Sequence, residues 1–515
     1  MRYEPDSPYE PQDVRAAIFY NKEEKETAIG KFFRKFSEVF RILMLLGAAV
    51  GFAYSIKEFG STAGLLSIAV MIGLPIAYGV IAYPKFGVIV LMFGAYFIMF
   101  VLRIITGYPL GTLMDALQYL LILAFFLKQK YNRNFEMFKS PITVMILIWF
   151  AYNILQVGNP TTEARMAWLY TVRTVAVVNL MFFVFTYFID TIEFLRIVFK
   201  VWMGVSLFAA AYATKQEYFG FFAFEEAGLQ DPLVQLLLFI NGHWRKFSIF
   251  SDPVAFSYNM VASALYCFAI IVSSNANRNK KILHGFMLAF FMSAMLYSGT
   301  RGAYVLMPVA LGLYLAIHIS KKTLMIGGVG AILFLGLIFM PTSNVTLYRF
   351  QSAFKPSDDA SFNVRAMNQK RIAPYILSHP LGGGLGATGV WGVKFAPNSF
   401  LASFPPDSGY VRVAVELGWV GLAIFCIWMF ITIKEGIKNY FLIQDPELKT
   451  YCLAVLLVIF ALNFGNYPQE ALVQYPSSIY FYLYTAIILV TRRLDREKNG
   501  EFAPVQKPLL LRQNF

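Results

Sequence analysis

Two arginines stand in short polar segments that separate long apolar runs. Arg301 lies in Ser-Gly-Thr-Arg-Gly-Ala (298–303), and Arg245 precedes Phe-Ser-Ile-Phe-Ser-Asp-Pro (247–253). A guanidinium next to lipid is costly unless it meets an anion, and its planar fork of donors suits phosphate. The two segments therefore predict anion binding at a membrane surface. For Arg301, the alternative is that its side chain only reaches towards lipid head groups.

Further basic residues accompany this pair. Lys246 follows Arg245 just before a helix that Pro253 should open, with Asp252 as its N-cap, and a basic pair before a helix N-terminus favours an anion. An amphipathic loop at the membrane interface is the competing interpretation. Arg173, near one end of an apolar run, is a further candidate for the anion site.

A glycine-rich segment, His379-Pro-Leu-Gly-Gly-Gly-Leu-Gly386, lies downstream of Arg365 and Arg371, which fall on a predicted amphipathic segment. Its backbone N–H groups could face an anion, or the glycines could simply form a flexible loop. The segment lacks the Lys-Ser/Thr of a nucleotide-binding loop, which argues against ATP.

A carboxylate opens the next apolar helix, in Asp407-Ser-Gly-Tyr410. Asp407 is predicted either to cap the helix N-terminus or to act as a base at the membrane surface. Arg412 and Glu416 follow at i,i+4 spacing, which predicts an ion pair on one helix face.

The elements that must position these residues are membrane helices. The 515 residues are 58% hydrophobic and 14% charged, whereas a soluble protein is charged at roughly one residue in four. Apolar runs of roughly 17–22 residues match the hydrocarbon thickness. The net charge of +14 is attributed to lipid head groups and topology rather than to nucleic acid. The four histidines lack metal-ligand spacing, so neither a metal site nor a cofactor is expected.

The chain is predicted to be an all-α polytopic membrane protein with about 14 spanning helices. The predicted spans lie near residues 39–55, 62–83, 86–102, 112–127, 141–157, 168–189, 194–214, 254–273, 282–297, 303–319, 323–340, 408–433, 450–464 and 477–490. Lys and Arg concentrate in alternate connections, which predicts that both termini are cytoplasmic.

The predicted organisation follows from these spans. Residues 1–38 form a cytoplasmic tail that could hold an interfacial helix, and 39–340 hold the first eleven helices with an outer loop at 215–253. Residues 341–407 form a long outer loop, 408–490 hold three more helices, and 491–515 form a cytoplasmic tail. All the unusual polar segments then lie at one face of the bilayer.

Four segments, in this order, resemble the O-antigen ligase/polymerase family of bacterial membrane glycosyltransferases. They are Trp-Arg…Phe-Ser-Asp-Pro (244–253), Ser-Gly-Thr-Arg-Gly-Ala (298–303), Arg365…His379-Pro-Leu-Gly-Gly-Gly-Leu-Gly, and Asp407-Ser-Gly-Tyr…Glu-Leu-Gly-Trp-Val-Gly-Leu (407–422). The resemblance covers about the second half of the chain.

The resemblance implies a helical fold of the lipid-sugar-dependent (GT-C-like) type in the bacterial inner membrane, with its active face periplasmic. The donor would be a glycan on undecaprenyl diphosphate, and transfer to a glycan acceptor would need no metal. Arg245 and Arg301 match arginines that hold the diphosphate, and Arg365 matches a further basic position. Residues Arg173, Lys246, Tyr410 and Glu416 are secondary candidates for the same site.

One departure concerns the base. Family ligases often carry His-Asn-x-Tyr where this chain has Asp407-Ser-Gly-Tyr410, so the base would be a carboxylate. This difference favours a polymerase of repeat units over a ligase to lipid A-core. His379 could supply an imidazole instead, or could be structural.

Two other classes of protein compete with the enzyme. A transporter of lipid-linked glycan or of an anionic solute would place charges near the bilayer midplane, whereas these arginines gather towards one face. A non-catalytic membrane scaffold would leave the outward arginines without a role.

Overall fold

A computed structural model describes residues 28–105, 110–131, 135–240, 242–343, 345–354 and 360–500. The chain divides into two compact units, residues 1–76 and 77–515. Of the predicted tails, residues 1–27 and 501–515 lie outside the described residues, and so does the first part of the interfacial helix, which is predicted over residues 21–35.

The described chain is mostly helical. The helices are α1 (Ala28–Ala82), α2 (Pro84–Ile104), α3 (Gly111–Tyr131), α4 (Pro141–Leu155), α5 (Arg165–Val172), α6 (Met181–Phe188), α7 (Ile192–Phe219), α8 (Ala223–Leu229), α9 (Pro232–Leu238), α10 (Pro253–Val272), α11 (Arg278–Tyr297), α12 (Arg301–Ile317), α13 (Lys321–Phe339), α14 (Val345–Ser352), α15 (Ala360–Ser378), α16 (Gly389–Phe395), α17 (Gly409–Leu442), α18 (Pro446–Gly465) and α19 (Ser477–Lys498). Short 3-10 turns cover Glu136–Phe138 and Gln156–Gly158, and Arg173–Val177 is π-helical. An antiparallel hairpin pairs β1 (Phe239–Ile240) with β2 (His243–Trp244).

This architecture confirms the prediction of an all-α polytopic membrane protein. Each predicted span coincides with a helix, although the spans at 39–55 and 62–83 share α1 and the span at 168–189 covers α5, the π-helical segment and α6. Within the described part of the chain, nine helices are long and apolar enough to cross a membrane. The count of about fourteen spans stays a prediction.

Helix starts follow from local sequence. Among the described helices, α2, α4, α9, α10 and α18 have proline in the first turn, where its missing N–H costs nothing. The predicted N-cap of α10 is confirmed, because Asp252 Oδ1 accepts from Val254 N at 2.8 Å and Ala255 N at 3.0 Å. Asp445 caps α18 in the same way.

The long helix α17 is broken at a glycine. Gly418 has φ 69° and ψ −179° inside α17, a conformation that only glycine adopts readily. The break divides α17 into a short first segment with Arg412 and Glu416 and a long apolar second segment.

The helices differ in how deeply they are enclosed. In their most apolar 18-residue windows, 83% of α10 and 78% of α18 is buried, against 6% of α13. Helices α10 and α18 are therefore central, and α13 is peripheral. The candidate site is built at the ends of the central pair, around the N-terminus of α10 and the C-terminus of α18.

Candidate functional site

A small β-hairpin places Arg245 next to the turn between α11 and α12. Strand β2 ends at Trp244, and the backbone N–H of Arg245 donates to Leu238 O over 2.8 Å, which extends the pairing by one step. The next residue is tied to α11, because Lys246 N donates to Tyr297 O over 3.0 Å. The loop that carries both basic residues is therefore anchored on two sides.

The guanidinium of Arg245 is bound directly to the turn that contains Arg301. Its Nε donates to Ser298 O at 2.9 Å, its Nη2 to Thr300 Oγ1 at 3.0 Å, and its Nη1 to Leu237 O at 3.2 Å. Thr300 is the residue before Arg301, which is half-buried and opens α12. The structure thus brings together the two segments for which the sequence predicts anion binding.

A buried network behind Arg245 fixes the rest of its loop. Ser248 has φ 53°, an unusual value for a residue with a side chain. Gln216 Oε1 accepts from Ser248 N at 2.8 Å, and Arg103 Nη1 donates to Ser248 O at 2.9 Å. Glu225 accepts from Gln216 at 2.7 Å. These contacts make Arg103 a positioning residue that the sequence did not single out.

Tyr258 links three elements next to the turn Ser298–Arg301, which is called the arginine turn below. This buried side chain of α10 donates to Gly465 O, the last carbonyl of α18, over 3.1 Å. A Cβ added at Gly302 would lie only 2.8 Å from the Tyr258 hydroxyl, so α12 approaches α10 closely at the residue after Arg301. The hydroxyl also interacts electrostatically with Arg365 of α15. Tyr258 therefore lies near both the Arg301 and the Arg365 segments.

Asp407 does not cap α17. The N-cap is Ser408, whose hydroxyl accepts from Val411 N at 3.5 Å, so the capping prediction for Asp407 is wrong by one residue. The half-buried Asp407 carboxylate instead accepts from Asn368 Nδ2 at 3.3 Å. Asn368 lies three residues after Arg365, so α15 brings a basic group and the carboxylate into one neighbourhood.

The connection between α18 and α19 completes the site. Gly409 N donates to Asn466 O at 2.9 Å and to Gln469 O at 3.3 Å, which fixes the start of α17 against this connection. Glu470 Oε2 lies 2.7 Å from Arg412 Nη1 and interacts electrostatically with Asp407. Burial raises the pKa of the Glu470 carboxyl, and the neighbouring Arg412 guanidinium opposes that rise.

Sequence reasoning missed most of this connection. Glu470 is not among the candidate residues that the sequence analysis names. A usable signal was present, because the connection Asn466–Pro476 contains amide, carboxylate, tyrosine and proline residues between two helices. The run also falls on the same predicted face as the other polar segments.

The glycine-rich segment is neither an anion cradle nor a flexible loop. Gly383 N donates to Val415 O at 2.9 Å, Gly384 N to Glu416 O at 2.8 Å, and Gly386 N to the Glu416 carboxylate at 3.0 Å. The segment packs on the break in α17, where a Cβ on Gly382 would lie 2.4 Å from Gly418 N. These N–H groups bond within the protein, so the prediction that they face an anion is wrong.

A second contact surface holds the same segment. Asn159 Nδ2 donates to Leu381 O at 3.0 Å and to Gly382 O at 3.1 Å. The Thr161 hydroxyl donates to Gly382 O at 2.5 Å. The glycines therefore let the backbone of one segment approach both α17 and the connection after α4.

His379 follows the last turn of α15 and is held there. Its Nδ1 contacts Tyr375 O at 3.0 Å and the Ser378 hydroxyl at 2.9 Å, and its ring stacks on Tyr375 with centroids 3.9 Å apart. Eleven residues of helical rise, roughly 16 Å, separate it from Asn368, which contacts Asp407. These contacts favour the structural interpretation of His379.

The four secondary candidates all have protein partners. Lys246 lies 3.3 Å from Glu217, Arg173 pairs with Asp115, and the Tyr410 hydroxyl donates to Asn463. Glu416 binds Arg412 at 3.2 Å, which confirms the predicted i,i+4 pair, and also accepts from Thr388. These contacts tie each of the four side chains to other parts of the protein.

Residues 285–426 match the family model described as O-antigen ligase. The matched region contains Arg301, Arg365, Asp407 and the glycine-rich segment, whereas Arg245 and Glu470 reach the site from outside it. No curated protein matches the chain. Over residues 285–426, which include Arg301 and the start of α17, the chain is therefore similar to the O-antigen ligase family.

Proposed function

We propose that the protein is a glycosyltransferase that transfers or polymerises glycan repeat units carried on undecaprenyl diphosphate. The observation that carries this proposal is the set of three hydrogen bonds from Arg245 to Leu237 and the Ser298–Thr300 turn, next to Arg301. Two guanidinium-bearing segments fixed at one turn suit a ligand with two phosphates. The reaction takes place at the periplasmic face of the inner membrane, with both chain termini in the cytoplasm.

The start of α12 supports the same ligand. The Thr300 side chain makes no capping hydrogen bond to the first turn of α12, because its hydroxyl contacts Arg245 and Pro253 instead. An uncapped helix N-terminus carries partial positive charge and attracts phosphate. The diphosphate in this proposal contacts Arg301, the N-terminal turn of α12 and Arg245, and Arg365 is a further basic group near them.

The chemistry follows from charge. Breaking the bond between the sugar and the diphosphate leaves negative charge on the leaving group, and fixed arginines at a poorly hydrated site stabilise that charge. Arginines rather than a metal ion perform this role in the proposal. Asp407 accepts the proton of the acceptor hydroxyl as it attacks the anomeric carbon, and attack opposite the diphosphate inverts that centre.

Polymerisation is the favoured reaction. The base position holds a carboxylate, and Ser408 rather than Asp407 caps α17, which leaves the Asp407 carboxylate available for proton transfer. Transfer to a lipid A-core or another acceptor is the alternative reaction of the same site.

The direct test uses purified full-length protein with a lipid-diphosphate oligosaccharide, with and without a second acceptor. Longer lipid-linked chains indicate a polymerase, and transfer to the second acceptor indicates a ligase. Arg301→Ala and Arg365→Ala should abolish product, while Lys370→Ala, an exposed basic residue on the same helix as Arg365, should not. Uptake of labelled solute without any glycan product would instead indicate the transporter.

A further inference from the structure

The short helix α9 carries large apolar side chains on its outer surface. Leu233, Leu236 and Leu237 are 71%, 76% and 64% exposed, and their i, i+3, i+4 spacing places them on one side of the helix. We call these three leucines the α9 face. Phe219 before it and Phe239 after it are 81% and 46% exposed. This surface therefore needs an apolar neighbour.

The segment that carries α9 lies at one end of the bundle of spanning helices. It connects α7 with α10, which are both long and apolar enough to cross a membrane. The neighbouring ends of the two helices are joined, because Gln216 accepts from Ser248 N at 2.8 Å shortly before α10 begins. The 28 residues of α7 span roughly 42 Å, more than the hydrocarbon thickness of about 30 Å, so its last turn reaches the head groups. The segment with α9 therefore begins at the membrane surface.

The size of the α9 face fits a bilayer better than a protein partner. One side of a seven-residue helix measures roughly 10 Å by 10 Å, whereas each partner in a stable complex contributes roughly 800 Å². An apolar face beside spanning helices is typical of helices that lie in the plane of the membrane interface. The exposed charged residues nearest in sequence, Glu226 and Asp231, are acidic. Contact with acyl chains, and not attraction to anionic lipid, would therefore hold α9 in place.

The same helix is bonded to a basic residue of the candidate site. Leu237 O accepts from Arg245 Nη1 at 3.2 Å, and Leu238 O accepts from Arg245 N at 2.8 Å. Leu237 thus contributes its side chain to the α9 face and its carbonyl to the guanidinium of Arg245. The depth of α9 in the membrane therefore sets the depth of Arg245.

We infer that α9 lies in the interfacial layer of the bilayer, with the α9 face among the acyl chains, and that it holds Arg245 at the level of the head groups. Part of the predicted outer loop at 215–253 is then a membrane-contacting element. The position of α9 is independent of the proposed function. Its effect on catalysis rests on that function, because the phosphates of a membrane-anchored donor lie at head-group level.

The test of position compares spin labels at two adjacent residues. Leu236→Cys labels the α9 face, and Gln235→Cys labels an exposed residue about 150° around the helix from the centre of that face. Both carry Cys426→Ala, since Cys426 is exposed and Cys267 and Cys452 are buried. Each labelled protein is placed in phosphatidylcholine nanodiscs, and its relaxation by oxygen, which concentrates in hydrocarbon, is compared with relaxation by a water-soluble nickel chelate.

The ratio of oxygen to nickel accessibility should be at least about threefold higher at position 236 than at 235, since an interfacial helix buries only its apolar face. Equal ratios would place the α9 face in water and would overturn the inference. Protection of the label at 236 from both reagents would mean that protein covers the face, and would overturn it as well.

The test of coupling measures KM for a lipid-linked donor in the same nanodiscs. The double variant with Leu233→Ser and Leu236→Ser should raise this KM at least about threefold, because α9 no longer holds Arg245 at the right depth. Gln235→Ser, the matched control on the same helix, should keep the KM of the wild type. An unchanged KM in the double variant would overturn the coupling to Arg245. If the wild type forms no glycan product, the proposed function fails, and the spin labels still decide where α9 lies.

Discussion

The guanidinium of Arg245 donates to the hydroxyl of Thr300 over 3.0 Å, one residue before Arg301. Two segments separated by more than fifty positions are thereby locked into one local structure. This arrangement depends on the geometry of the guanidinium, because its other donors bond Ser298 O and Leu237 O. Charge alone at position 245 would not reproduce it.

Replacing Arg245 by lysine should therefore impair the enzyme although the charge is kept. A single ammonium cannot bond Leu237, Ser298 and Thr300 together, and each lost hydrogen bond to a charged group is worth about 1.5–3 kcal/mol. We expect product formation to fall at least about tenfold, measured with purified protein and lipid-linked donor. Thr300→Val removes one of the three bonds and should have a smaller effect. Wild-type rates in Arg245→Lys would show that the several donors of the planar guanidinium are not needed.

The close packing at Gly418 gives a prediction for stability. A Cβ at this position would lie 2.0 Å from Pro380 O, so Gly418→Ala must separate the glycine-rich segment from α17. Gly389 has the same φ of 69° but open space around it, so Gly389→Ala carries backbone strain of about 1–2 kcal/mol without the clash. Thermal unfolding in detergent should show a clearly larger loss of stability for Gly418→Ala than for Gly389→Ala. Equal losses of stability in the two variants would mean that the segment with Pro380 can move away from α17 at little cost.

Much of the fold could be predicted from the sequence because its signals are local. Apolar runs mark the helices, and Asp252-Pro253 marks the start of α10 through capping and the missing proline N–H. The pair Arg412–Glu416 follows from helical spacing alone. The cap of α17 was misplaced by one residue, since Asp407 and Ser408 are both good capping residues.

The remainder depends on contacts between distant parts of the chain. Nothing near Gly382 in sequence indicates that Asn159 bonds its carbonyl across 223 positions, so the glycines were interpreted as a loop or an anion site. Likewise, the role of Glu470 depends on Arg412, 58 positions away. Hydropathy cannot show such pairings, because it reports burial of a segment and not its partner.

Glu416 should be a structural rather than a chemical residue. Its buried carboxylate accepts from Gly386 N and the Thr388 hydroxyl and pairs with Arg412. Breaking a buried ion pair costs about 3–5 kcal/mol, so Glu416→Gln should lower thermal stability markedly. Folded protein recovered at low temperature should retain activity. A stable Glu416→Gln protein without activity would instead place the carboxylate in the reaction.

Glu470 should make stability depend on pH. Because burial raises its pKa, the folded protein binds this proton more tightly than the unfolded chain. The contribution of Glu470 is therefore complete below its ordinary pKa of 4.5 and is lost as pH rises through the raised pKa. Glu470→Gln, neutral at every pH, should remove this decline from thermal unfolding curves recorded across that window. An identical decline in the variant would assign it to another group.

Asp407 and Ser408 are adjacent, but substitutions at the two positions should have different effects. Ser408 caps α17, so Ser408→Ala should lower stability by about 1 kcal/mol and leave the rate of the folded enzyme unchanged. Asp407 contacts Asn368 and not the helix terminus, so Asp407→Asn should fold normally. Loss of a general base lowers kcat by about 10²–10⁴, with KM for the donor unchanged. Steady-state kinetics and thermal unfolding of both variants check this, and an active but unstable Asp407→Asn would return the carboxylate to a capping role.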